Sequence, residues 1–346
     1  MYLNEENPHG GDIYTHKDML DFSASINPFG MPEQIRDAIA GTINDCTAYP
    51  DTYCSALRKK ISEKESLPDK WILCGNGAAE LIYSFAYSLP KDKPVLIVSP
   101  TFCEYEAALS AADLKTEHYI LSEKDGFELG DRILDTDFSA YGAVILCTPN
   151  NPTGKTIRPN LLESLAKTNV RLFTDTCFLD LSDTPDMYDI PRMIKDYPNL
   201  LVLRSFTKSF SIPGIRLGYA LCSDEDFLDR MSRKAPCWNV SVTAQTAGIA
   251  ALDCQVWLSE TSRTISYERM RLTNELRSLN IKVFESETNY ILIYSDKDLY
   301  NSLLRHGILI RDCFNLYGLR KGYYRIAVRQ PKENDRLLSA LREVLG

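Results

Sequence analysis

Lys208 lies in the stretch RSFTKSFSIPGIRLGY, residues 204–219. Ser205, Thr207 and Arg216 stand close to it in sequence. Hydroxyls and a guanidinium together suit a phosphate. A lysine held partly out of water near other cations has a lowered pKa and can form a Schiff base with a carbonyl. The same residues also make an ordinary polar loop after a strand, so the stretch alone leaves both readings open.

Three other places carry chemistry-bearing residues. GNGAAE (75–80) separates an apolar run from a helical pattern. Its glycines permit a tight turn, and the free N–H groups of the following helix attract an anion. A strand-to-helix turn also needs glycine for structural reasons alone. TPNNPTG (148–154) leaves the carboxyl end of the apolar run AVILC. Ligands of open α/β sheets bind at such ends, although Pro, Asn and Gly equally form a plain tight loop. Asp175 closes VRLFTD. A carboxylate there is either the counter-ion of a buried cation or a helix cap or solvated strand end.

The elements that must position these residues follow a simple alternation. WILC (71–74), VLIVS (95–99), AVILC (143–147), VRLFTD (170–175), LLVLRS (200–205) and IRLGYALC (215–222) read as strands. Helical patterns fall near 78–89, 103–112 and 160–167. Strands that are apolar without alternation belong to a sheet covered on both faces, so an α/β fold with a mostly parallel sheet is expected. It should occupy residues 46–250 as a large domain. From residue 255 the pattern changes to a long charged helix, then strands NYILIYS, ILIRD and YYRIAVR and a C-terminal helix. Residues 251–346, joined by 1–45, should form a smaller α+β domain, with the helix near MPEQIRDAIAG packing on it.

Bulk composition narrows the function. Of 346 residues, 44% are hydrophobic and 25% charged, as in a soluble globular protein. A net charge of −8 disfavours a nucleic-acid partner. No apolar run is long enough for a membrane span. The N-terminus lacks the basic flank and apolar core of a secretion signal. The ten cysteines form no CxxC pair, and the four histidines show no paired spacing. Buried reduced thiols, a cytoplasmic location and no protein-built metal site are therefore expected.

In this order, GNGAAE, NNPTG, Asp175 and SFTK with Arg216 resemble the fold-type I family of pyridoxal phosphate enzymes over nearly the whole chain. The resemblance implies that Lys208 carries the cofactor aldehyde covalently. It implies that Asp175 meets the pyridinium nitrogen, which makes the ring an electron sink. Asn151 would meet the phenolic oxygen. Ser205, Arg216 and the amides at Gly77 and Ala78 would hold the phosphate. Such enzymes are homodimers, and Tyr49 of YPD resembles a tyrosine lent to the neighbouring subunit's site.

Within the family, the chain resembles the histidinol-phosphate aminotransferase group. PHGGDIY (8–14), LDFSASINPFGMP (20–32) and ILIRDCFNLYGLRKGYYRIAVR (308–329) are most similar to its threonine-phosphate decarboxylase branch. That branch makes (R)-1-amino-2-propanol O-phosphate for the cobalamin nucleotide loop. The resemblance implies Arg325 as a clamp on a substrate anion and Arg311 as a second contact. It implies His9, from the partner chain, on the substrate phosphate. Phe178 matches the decarboxylase pattern, where aminotransferases of the group usually carry tyrosine. Transamination of histidinol phosphate and decarboxylation of O-phospho-L-serine are the alternatives. A non-catalytic PLP-binding regulator would be expected to carry a DNA-binding extension.

Overall fold

A computed structural model gives the structure and describes residues 9–346. Residues 1–8, including Pro8 of the PHGG opening, lie outside the described residues. Strand β1 (Leu20–Asp21) and helices α1 (Glu33–Gly41) and α2 (Ser55–Glu65) lead into β2 (Ile72–Gly75). Next come α3 (Gly77–Ser88), β3 (Val95–Ser99), α4 (Glu104–Ala111) and β4 (Thr116–Ile120). The alternation continues through β5 (Ala143–Cys147), α5 (Pro159–Ala166), β6 (Arg171–Asp175), α6 (Ile190–Asp196) and β7 (Leu200–Ser205). Short α7 (Phe206–Ser209) follows, then β8 (Gly218–Leu221), α8 (Glu225–Ser232), α9 (Val242–Leu252) and the long α10 (Gln255–Ser278). The chain ends with β9 (Lys282–Val283), β10 (Tyr290–Tyr294), α11 (Leu299–Leu304), β11 (Ile308–Leu309), β12 (Arg311–Asp312), β13 (Tyr323–Ala327) and α12 (Pro331–Leu345).

Seven strands form the main sheet in the order β2-β8-β7-β6-β5-β3-β4. Six of them run in one direction, and β8 alone is reversed, antiparallel to both its neighbours. Every residue of β3 and β5 is buried. Successive side chains go to opposite faces. Val144, Leu146, Leu172 and Val202 enter one apolar cluster, and Ala143, Ile145, Phe173 and Leu203 enter the other. Two buried faces explain why these strands read as unbroken apolar runs. β4 is different: TEHYI lies at the sheet edge and none of it is fully buried. It has no apolar run, and sequence reading omits it.

The parallel register brings the carboxyl ends of the central strands together. Cys147 of β5 pairs with Asp175 of β6, which pairs with Leu203 of β7. The loop TPNNPTG, Asp175 and the SFTK turn therefore emerge side by side. A second sheet, β12-β13-β10-β9, places Arg311 directly across from Arg325.

Two expectations need correction. ILIRD is not one strand: β11 pairs with β1, β12 pairs with β13, and Ile310 separates them. Helix α1 packs chiefly on α9, not on the C-terminal unit. The physical reason is shape: Ile35 is fully buried in a cluster with Ala244, Ala247 and Ala251 of α9, whose small side chains admit a close neighbour. Among the described residues no helix is long and apolar enough to cross a membrane.

Candidate active site

The loops at the strand ends enclose a cavity of about 270 Å³. One end of it is built as an anion cradle. Gly77 opens α3 with φ +77, and a Cβ there would stand 2.3 Å from Arg216 Nη2. Glycine is thus required twice, for a left-handed backbone and for the close approach of a guanidinium. A Cβ on Gly218 would meet the Ala78 nitrogen at 2.8 Å, so β8 lies tight against the start of α3. Ser205 Oγ accepts from the Thr207 amide at 3.2 Å and lies 2.8 Å from Thr207 Oγ1. The helix amides, two hydroxyls and the exposed Arg216 converge on one place.

The middle of the cavity holds a buried carboxylate and a perturbed amine. Asp175 accepts from Tyr105 Oη at 2.6 Å and from the Cys177 amide at 2.8 Å. Burial nevertheless pushes its carboxyl above the ordinary value. A buried carboxylate in that condition favours a cationic partner. Lys208 projects from α7, with Nζ 5.9 Å from the centre of the Phe178 ring. Burial first, and then the Arg325 charge, lower its pKa to about 8. An appreciable fraction of the amine is therefore unprotonated near neutral pH, as a nucleophile requires.

Arg325 closes the far side. It is buried, donates from Nη2 to Ser23 O at 2.6 Å, and donates from Nη1 to Asn151 Oδ1. Its guanidinium lies 5.3 Å from the centre of the Tyr290 ring. Burial lowers its pKa, and its Nε has no hydrogen-bond partner. With Oδ1 used by Arg325, the Asn151 amide has Nδ2 left to offer as a donor. Arg311 is half-buried, donates to Asn315 Oδ1 at 2.8 Å, and lines the same cavity.

His9 lines this chain's own cavity. Its Nε2 lies 2.9 Å from Glu104 Oε1, and its Nδ1 lies 3.7 Å from Cys103 Sγ. Those two hydrogen bonds, to Cys103 and then Glu104, raise its pKa to about 9. The cause is local: Gly11 donates to Ser23 Oγ at 2.7 Å, which folds the leading segment over the cavity mouth. Tyr49 is not brought to this cavity. It is 78% exposed and stacks on Trp238 at 4.4 Å. Arg329 also stays away, donating to Asp21 O and Glu333.

Sequence reading missed Tyr105, Phe102, Cys103 and Glu104, all on or just before α4. The helical pattern there carried no turn motif to draw notice. The Thr176 amide and hydroxyl both donate to Leu203 O, tying the end of β6 to β7. The Ser205–Thr207 pair supplies hydroxyls that Ala78 and Ala79 lack. His9, Cys103 and Glu104 are the one group among the described residues that has donors for a metal ion. One donor atom from each of the three lies within 4.8 Å of the others.

A family model described as aminotransferase class I and II matches residues 17–341. Threonine-phosphate decarboxylase of Salmonella typhimurium is 37% identical, with 97% of this chain and 96% of the relative covered. Among solved structures, histidinol-phosphate aminotransferase from Clostridium acetobutylicum superimposes with a TM-score of 0.88 at 29% identity, covering 94% of this chain and 99% of that one. L-threonine-O-3-phosphate decarboxylase from Porphyromonas gingivalis gives 0.85 at 25% identity, covering 94% and 98%.

Proposed function

The chain belongs to the aminotransferase class I and II family, and on that footing we propose that it is a pyridoxal phosphate-dependent carboxy-lyase. Its substrate is a phospho-amino acid, L-threonine O-3-phosphate, and its product (R)-1-amino-2-propanol O-phosphate, used for the cobalamin nucleotide loop. One observation carries this reading. Beyond the cradle around Arg216, and besides Lys208, the same cavity is lined by the basic side chains His9, Arg311 and Arg325. A phospho-amino acid brings two anionic groups, a carboxylate and a phosphate, and needs such a second set.

The cavity fits the cofactor. A Cβ at Gly77 would fill part of the cradle, and the raised pKa of Asp175 suits a cationic ring nitrogen. Gly77, Ala78, Ser205 and Arg216 would hold the phosphate, Asp175 the ring nitrogen, Asn151 the phenolic oxygen and Lys208 the aldehyde carbon. When bound, pyridoxal phosphate supplies an electron sink for the pair left at the substrate Cα. The protein residues choose which bond gives up that pair. Arg325, fixed by Asn151 and Ser23, orients the substrate carboxylate, with Arg311 as a second cation. His9, charged through neutral pH, takes the phosphate. Phe178, which lines the cavity, offers the cofactor no hydroxyl. Lys208, with its lowered pKa, carries the proton that Cα receives after carbon dioxide leaves.

The test is to incubate the holoenzyme with O-phospho-L-threonine and no keto acid. Release of carbon dioxide is the expected result. A requirement for 2-oxoglutarate, with glutamate formed, would replace this reading with transamination. O-phospho-L-serine belongs in the same series, because one methyl contact discriminates by only about 1–3 kcal/mol. L-Histidinol phosphate tests the aminotransferase alternative directly.

A further inference from the structure

The cavity mouth holds a nucleophile that decarboxylation does not use. Cys103 is the residue just before α4, it lines the cavity, and it is neither fully buried nor fully exposed. The other nine cysteines divide into seven buried thiols and the exposed Cys46 and Cys237. We propose that Cys103 is a modification site: its sulfur exchanges with low-molecular-weight disulfides, and the attached group stands in the cavity mouth.

The surrounding geometry supports the exchange. His9 Nδ1 faces the sulfur at 3.7 Å, and Glu104 Oε1 holds the opposite ring nitrogen at 2.9 Å. The imidazole thus bridges sulfur and carboxylate. The ring is turned so that Nδ1 is the atom facing the sulfur. The amino end of the eight-residue α4 adds a positive dipole on the same side. A half-exposed thiol beside an imidazole at a helix start has the surroundings of a reactive cysteine.

The step balances. The Cys103 thiolate attacks one sulfur of the disulfide, whose S–S bond breaks as a new one forms to Sγ. The second sulfur leaves as a thiolate and takes a proton from His9 or water. Cys103 is oxidised and the disulfide reduced, with no other oxidant. Arg311 and Arg325 line the same cavity, so an anionic disulfide is drawn in more readily than a cationic one.

The experiment treats the full chain, loaded with pyridoxal phosphate, with 5,5′-dithiobis(2-nitrobenzoate) and follows each cysteine peptide by mass spectrometry. The Cys103 peptide should be labelled about tenfold faster than those of Cys46 and Cys237. His9→Gln should remove that advantage, and Glu104→Gln should reduce it, while the two control peptides keep their rates. Labelling of Cys103 no faster than the controls, or unchanged in His9→Gln, would overturn the proposal. So would labelling that appears only after a chelator is added, which would make the cluster a cation site. The readout is independent of the reaction run in the cavity, so its failure is distinct from failure of the decarboxylase reading.

Discussion

Lys208 and Asp175 sit in one cavity with opposite electrostatic problems. Burial raises the pKa of the carboxyl and lowers that of the amine to about 8, against an ordinary 10.5. The sign gives a prediction. Capture of pyridoxal phosphate by the apo chain needs the unprotonated amine. Its rate should rise with pH and reach half its maximum near 8. A rate still climbing steeply through pH 10 in stopped-flow absorbance would mean an unperturbed lysine. Residues such as Lys208, Asp175 and Asn151 were legible in the sequence because each closes or follows an apolar strand within a turn-forming motif. Tyr105 was not legible. It lies mid-chain in a helix and bonds Asp175 across seventy positions, and no local pattern encodes such a contact.

At the scale of elements, the anion cradle depends on how closely α3, β8 and the loop before β8 approach. Gly77→Ala places a Cβ 2.3 Å from Arg216 Nη2 at a φ of +77. The variant should fold with at most about 1–2 kcal/mol lost to backbone strain, yet bind the cofactor at least about tenfold more weakly. Equilibrium titration at the visible absorbance band measures the affinity, and thermal unfolding of the apo form measures the stability. Equal cofactor affinity in the two proteins would show that Arg216 does not share the cradle. The buried strands were legible because both of their faces are covered, which makes their sequences apolar throughout. The edge strand Thr116–Ile120 was not, because its position at the sheet edge leaves all of it at least partly exposed, and its sequence carries no apolar run. The docking of α1 on α9 was hidden for another reason: a helix's apolar face says that it packs, not on what.

Across the whole molecule, the carboxyl ends of the main sheet, the second sheet and the leading segment close over one cavity. Arg325 joins them physically, bonding Asn151 from the large sheet's loop and Ser23 from the leading segment. Family resemblance assigned these roles where distance in sequence defeats pattern reading: His9 and Arg325 lie at opposite ends of the chain. Tyr49 faces outward, stacked on Trp238, and its expected role is in a second subunit's site. A mixture of Lys208→Ala and Tyr49→Phe chains tests this, since a mixed dimer would contain one site with both residues intact. Activity should recover above that of either parent, and no recovery on mixing would remove Tyr49 from the partner's site. The most direct measurement of the whole account uses heavy water. O-phospho-L-threonine is incubated in D₂O with the holoenzyme as the sole addition, and the product is read by NMR. The account predicts 1-amino-2-propanol O-phosphate with its amine retained and one deuterium on the carbon that bore the carboxylate. Unchanged substrate, or a product that has lost its amine, would contradict it.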